Sequence, residues 1–270
     1  MDNSEDRAIV AQRTRRNIVK MGTMMGAIAA SAVLANLAAT KRAAAQVAPT
    51  AVGRHCFLKG TRIRTAEGER KVENLAIGDL LPTVFGGVRP IQWLGYYPYK
   101  KSDPSRPWVK DALPVRIARS ALASNVPDAD LYVTKWHALF IDGALVPVEN
   151  LINDTTITLY EAREYEELEY FHIKLESHDV IYAEGAPCET LLHVDEGAVN
   201  FAEYFRRYGA PEKEEVSCVP RYNSGRRWEL KSRFRSAVSP WLDFRQKIDV
   251  IRDRVEERGI ALSRQSALTS

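Results

Sequence analysis

A thiol becomes a nucleophile when a neighbouring group takes its proton or protonates what it displaces. The chain holds three cysteines, Cys56, Cys188 and Cys218. Cys56 opens the run Cys56-Phe57-Leu58-Lys59-Gly60-Thr61-Arg62-Ile63, apolar and β-prone but broken at Gly60, and is the candidate nucleophile. His137 is the candidate partner, set in Val133-Thr134-Lys135-Trp136-His137-Ala138 between two strand-like stretches. With Thr-x-x-His spacing, a single turn can bring the threonine hydroxyl and the imidazole to one point. A backbone amide held at that point could have its nitrogen protonated. A lone histidine beside apolar residues is more often structural, so the pair needs support from elsewhere. Phe171 to Gly185 offers it: the stretch alternates as a strand, turns at Glu176-Ser177 and resumes as a strand. His178 and Asp179 stand at the turn exit, where their side chains can reach a shared cleft.

The elements that must position these residues are short and mostly β. From Cys56 onward, β-prone runs recur about every ten residues between turn signals, the pattern of an all-β architecture. Strands are expected at Thr61–Thr65, Leu80–Pro82, Val88–Tyr97, Val115–Ile117, Leu131–Val133, Ala138–Ile141, Ala144–Pro147, Thr156–Leu159, Phe171–Leu175 and Asp179–Ala183. Ala66 to Glu69 and Phe85 to Val88 read as connections, and Asp142-Gly143 as a hairpin turn. Beyond Gly197 the alternation gives way to charged helical patterns. Val199–Tyr208 reads as a short helix and Ala210–Gly225 as a polar connection. Ser239-Pro240 makes a capped helix start, followed by an apolar stripe of Trp241, Phe244, Ile248, Ile251 and Val255, with Gly259 as its stop and Ala261 onward frayed. The stripe can pack onto the β domain or meet a protein partner.

Cysteine first, Thr-x-x-His some eighty residues later, and a late strand pair ending in Ala183-Glu184-Gly185 together resemble the Hint (hedgehog/intein) domain, especially its bacterial subgroup. Val72-Glu73-Asn74-Leu75-Ala76-Ile77-Gly78-Asp79 is similar to a run in that family between the first and second motifs. The resemblance spans about residues 54–193. It implies a horseshoe-shaped, β-rich fold of pseudo-two-fold character, ahead of a helical C-terminal region. It also implies an N-to-S acyl shift, in which Cys56 attacks the carbonyl of His55 to give a thioester. Thr134 and His137 would strain the bond and protonate the nitrogen, and Asp179 or His178 would deprotonate the thiol or activate the later attacker. Neither metal nor organic cofactor is implied. Inteins close the domain with His-Asn, whose asparagine cyclises. Glu189-Thr190 occupies that place here, so cleavage at His55/Cys56 without splicing is the expected activity. A catalytically silent Hint-like binding module is the alternative. A metal site drawing on His137, His172, His178 and Cys56 or Cys188 ranks last, because the tight spacing of a zinc motif is absent.

A formal charge of +3 with both signs interspersed does not point to nucleic acid. Three cysteines do not make a disulfide framework. The first 45 residues have the layout of an exported precursor. Thr14-Arg15-Arg16-Asn17-Ile18-Val19-Lys20 resembles a twin-arginine signal, Met21 to Ala39 is uncharged and small, and Ala43-Ala44-Ala45 suits signal peptidase. An uncleaved membrane anchor is the competing reading. The expected organisation is therefore a signal peptide at 1–45, a linker at 46–54, a Hint domain at 55–194 and a helical, basic region at 195–270. A periplasmic or extracellular location follows, with no stable membrane span after cleavage. The thioester's acceptor is unknown. Arg221, Arg226, Arg227, Lys231, Arg233 and Arg235, interleaved with aromatic residues, form a basic run that reads either as an anionic-surface contact or as a solvated face.

Overall fold

Short runs of β-branched and aromatic residues between Gly, Asp and Pro turns fold into two antiparallel sheets. The computed structural model describes residues 55–101, 103–194, 196–210, 216–222 and 247–269. The chain divides into two units, Met1–Thr50 and Ala51–Ser270, and every described residue belongs to the second. The expected signal and linker, the helix start at Ser239-Pro240, and the basic run past Tyr222 lie outside the described residues.

Thirteen strands are formed among the described residues: β1 (Phe57–Leu58), β2 (Arg62–Thr65), β3 (Gly68–Lys71), β4 (Leu80–Pro82), β5 (Val88–Lys100), β6 (Val115–Ile117), β7 (Leu131–Val133), β8 (Ala138–Ile141), β9 (Ala144–Pro147), β10 (Ile157–Leu159), β11 (Glu167–Leu175), β12 (Val180–Ala183) and β13 (Ala186–Glu189). Their order is β10-β6-β7-β1-β11-β5-β4 in the seven-stranded sheet and β3-β2-β12-β13-β8-β9 in the six-stranded one. Three strands, β1, β3 and β13, are not among those expected from the sequence. Gly68 and Glu69 begin β3 instead of closing a loop, because Arg62 to Thr65 pairs residue by residue with Lys71 to Gly68. Ala186-Pro187-Cys188-Glu189 forms β13 although its proline argues against a strand. Pro187 stands opposite Tyr182 in the β12 pairing, and Cys188 faces Leu139 of β8. The Asp142-Gly143 turn between β8 and β9 has positive φ at both residues, 50° and 81°, as a type I′ hairpin turn requires.

The register of β1 determines what surrounds the cysteine. Phe57 pairs with Val133 on β7 and with Phe171 on β11. Stepping back one residue sets Cys56 between Thr134 and His172. A two-residue strand thus occupies the middle place of a seven-stranded sheet, with the peptide bond ahead of it in the interior. Phe57, Ile63, Leu81, Val133, Ile173 and Ile181 are all buried in the main core, at 1% exposure or less.

Helix α1 (Phe201–Tyr208) packs Tyr204 edge-on against Trp93. Helix α2 (Lys247–Thr269) buries Ile248, Ile251 and Val255 in the main core, so this part of the stripe packs within the chain. Contrary to expectation, α2 does not stop at Gly259 but continues to Thr269. The glycine has no positive φ; it serves close approach. A Cβ there would come within 2.6 Å of Thr155 Oγ1, 3.1 Å of Asn153 Nδ2 and 3.2 Å of Thr156 Oγ1. No helix among the described residues is long and apolar enough to cross a membrane.

Gly259→Ala therefore sets two opposed effects against each other. Helix propensity favours alanine by about 1 kcal/mol, whereas overpacking costs about 1–3 kcal/mol. The expected outcome is a net loss, read as a lower urea midpoint; a rise, as at an uncrowded helix position, would contradict this packing role.

Candidate active site

The Thr134-Lys135-Trp136-His137 turn closes with the His137 amide donating to the Thr134 carbonyl at 3.0 Å. Thr134 then holds Cys56 at two points. The Cys56 amide donates to Thr134 Oγ1 at 3.0 Å, and the Thr134 amide donates to the Cys56 carbonyl at 3.0 Å. The nitrogen of the His55–Cys56 peptide bond is thus fixed by a hydroxyl. On the other flank, the His55 amide donates to His172 Nε2 at 3.3 Å, so the neutral His172 ring carries its proton on Nδ1. Cys56 itself is fully buried.

His137 is fully buried against the Phe57 ring, with centroids 4.4 Å apart. Neither of its ring nitrogens has a hydrogen-bond partner of good geometry among the described residues. Burial pushes the imidazole down to about 4, and the Glu189 charge and the nearby His55 main chain only partly counter it. At neutral pH the ring is uncharged, close to the His55 main chain, and can receive a proton and pass it on.

His178 and Asp179 hold different partners. Asp179 Oδ2 accepts from Arg89 Nε at 2.6 Å, and its Oδ1 accepts from the Val180 amide at 2.8 Å. His178 Nδ1 accepts from the Cys218 amide at 3.1 Å, which places the neutral ring's proton on Nε2, 3.8 Å from Glu189 Oε2. The two residues turn to different partners because they leave β11 for β12 on successive, oppositely facing positions.

Three further residues join the site beyond the candidate catalytic residues. Glu189, at the end of β13 beside β8, accepts from the Ala138 amide at 2.6 Å and from His55 Nδ1 at 2.8 Å, and pairs with Arg221. Its side chain is 1% exposed. The carboxyl is held well below the ordinary range despite its burial, chiefly by the charge and hydrogen bond of His55, with His178 Nε2 close by at 3.8 Å. Arg221, expected in a polar connection, is turned inward instead, and its Nη2 also donates to the Trp136 carbonyl at 2.8 Å. His172, weighed in the sequence as a strand residue and as a metal-ligand candidate, flanks the His55–Cys56 segment. The signal that finds it is the antiparallel register of β1 with β11.

None of the three cysteines is joined in a disulfide. Cys188 is buried and its thiol is pushed up by burial and by Glu189, away from nucleophilic use. Cys218 is exposed and is pushed up to about 11, first by burial of its sulfur. Among the described residues, no three His, Cys, Asp or Glu side chains are placed to hold a metal ion.

A family model described as "Hint domain" matches residues 55–195. Among solved structures the chain is similar to the gp41-1 intein, at 14% identity over 49% of this chain and 97% of that one, with a TM-score of 0.35. A DnaB intein from Synechocystis sp. PCC 6803 is similar at 10% identity over 50% and 98%, with a TM-score of 0.35. A bacterial intein-like domain from Clostridium thermocellum is similar at 11% identity over 51% and 99%, with a TM-score of 0.36. No curated protein matches.

Because the folded His137 titrates near 4 and the ordinary histidine near 6.5, the unfolded chain binds the extra proton between those values. Stability is full above about pH 6.5 and falls as pH drops towards 4. The expected loss from pH 7 to pH 5 is on the order of 2 kcal/mol from this ring alone, above the range where Glu189 takes up a proton. Urea midpoints of Cys56→Ala at the two pH values measure it, and adding His137→Asn should remove most of the difference.

Proposed function

Since this chain belongs to the Hint domain family, which matches residues 55–195, we propose that it is a self-processing domain that cuts its own His55–Cys56 bond without splicing. The observation that carries this reading is the 3.0 Å hydrogen bond from the Cys56 amide to Thr134 Oγ1, next to the buried, unbonded ring of His137.

The Cys56 sulfur bonds to the carbonyl carbon of His55, and the carbon–nitrogen bond breaks. The thiol proton ends on the departing nitrogen, which becomes the amino group of Cys56. His137 relays it: neutral at rest, the ring takes one proton and, once charged, is a strong acid towards an amine. The Thr134 bond pulls on the amide hydrogen, and drawing it out of the amide plane takes the nitrogen lone pair out of conjugation and favours the pyramidal nitrogen of the intermediate. Water or an added thiol then attacks the thioester, and the Cys56 thiol leaves with the proton. The products end at His55 and begin at Cys56.

Splicing would need a side chain able to cyclise at position 190. Thr190 has no amide, and its hydroxyl is engaged with the Asp179 main chain at 2.9 and 3.1 Å. His178 supports the site beside Glu189. The twin-arginine-like leader makes the periplasm or exterior the proposed place of action, with a fragment reaching back from His55 as the released product.

Intact mass of freshly synthesised full-length chain, followed with and without dithiothreitol, tests the reaction. A thiol-accelerated species starting at Cys56 is expected, absent in Cys56→Ala and slowed about a hundredfold or more in His137→Ala and Thr134→Ala. A chain that keeps the His55–Cys56 bond under every condition is a silent binding module instead.

A further inference from the structure

Arg221 lies outside the matched span of 55–195. It is delivered by main-chain pairing along β9, where the Leu145 amide donates to the Pro220 carbonyl at 2.8 Å and the Tyr222 amide to the Leu145 carbonyl at 2.9 Å. Its guanidinium meets three groups: the Glu189 carboxylate, the Trp136 carbonyl at 2.8 Å, and the His55 ring at Nδ1, 3.3 Å away. His55 is the residue ahead of the cysteine, and its Nδ1 also lies 2.8 Å from Glu189 Oε1.

The proton positions follow from donor and acceptor chemistry. Arginine only donates and an ionised carboxylate only accepts. The Nδ1 hydrogen of His55 therefore goes to Glu189, and the Arg221 Nη2 hydrogen goes to Trp136. Glu189 thus grips the side chain of the scissile residue, while Arg221 ties that carboxylate to the turn that carries Thr134 and His137.

We propose that Glu189 and Arg221 form a recognition site for the side chain of residue 55, with Arg221 as the positioning residue that couples this side chain to the catalytic turn. The inference rests on the self-processing reading and adds a specificity to it. The site selects a short hydrogen-bond donor. Alanine would leave Glu189 without one of its donors, and aspartate would bring a second carboxylate against a buried one. Asparagine keeps a donor of short reach. The segment at 216–222 is accordingly part of the working unit.

The test follows dithiothreitol-driven cleavage of the full-length chain by intact mass, in a series of variants made by cell-free synthesis. His55→Ala and His55→Asp should slow cleavage about tenfold or more, and His55→Asn less than either. Arg221→Ala should slow it to a similar extent and Arg221→Lys less. Arg221→Ala combined with His55→Ala should be little worse than either alone, since both remove one coupled contact. Thermal unfolding of each variant in the Cys56→Ala background checks the fold. If the wild-type chain cleaves and the single variants match it, or if their effects multiply independently, the recognition site is overturned while self-processing stands. If the wild-type chain does not cleave, both readings fall. Should Arg221→Ala not fold, the His55 series decides alone: equal rates for histidine and alanine overturn the proposal.

Discussion

The hydrogen bonds that bind a two-residue strand into the middle of a seven-stranded sheet are the constraint on which the rest depends. Phe57 and Leu58 are flanked by β7 and β11, so the amide that precedes them enters the protein interior. Buried amide hydrogens must find acceptors inside the fold, because none is available from solvent. The Cys56 amide finds the hydroxyl of Thr134, and the His55 amide finds the imidazole of His172. Both acceptors are side chains. The need to satisfy the backbone therefore brings, to either side of one peptide bond, groups that can strain it or exchange protons with it. A strand at the sheet edge would have left the same amides to water.

Charge is arranged around this bond with the same economy. His137 and Glu189 are both buried, yet burial drives one neutral and fails to neutralise the other. The imidazole loses its proton because burial outweighs what the Glu189 charge and the His55 main chain offer a buried cation. The carboxylate stays charged because Arg221, His55 and the Ala138 amide surround it. Under the proposed reaction this division is useful. The ring that must move a proton is held without one, while a fixed anion nearby favours the charged ring that appears transiently.

Much of this was legible in the chain, for identifiable reasons. Period-two alternation located ten strands, and the Asp-Gly hairpin followed from turn chemistry. The Thr-x-x-His turn could be read because its function depends on local spacing, which a sequence displays directly. β13 was obscured by Pro187, whose tolerance there depends on how β12 and β8 pair with its strand. Gly259 read as a stop because glycine commonly ends helices; its close approach to Thr155 depends on tertiary contact. The partnership of Glu189, Arg221 and His55 spans 134 and 166 positions and was beyond any local pattern. Arg221 read as one member of a basic run, and only its placement along β9 separates it from the rest.

The end of β13 shows how one fold position can exchange one role for another. Where an asparagine could break a second bond, the chain has Glu189 and Thr190. A threonine whose hydroxyl is bonded to the Asp179 main chain helps close the β12–β13 ladder. The glutamate one residue earlier points from the same strand end to His55, on the amino-terminal side of the cysteine. Both side chains hold structure that a bond-breaking residue would have to release. Under the proposed reaction, a domain that grips its amino-terminal junction through the very strand end that might have cut the carboxyl-terminal one is confined to a single cleavage. The extension that supplies Arg221 can then remain attached, and under the proposed reaction it must, because it completes the grip.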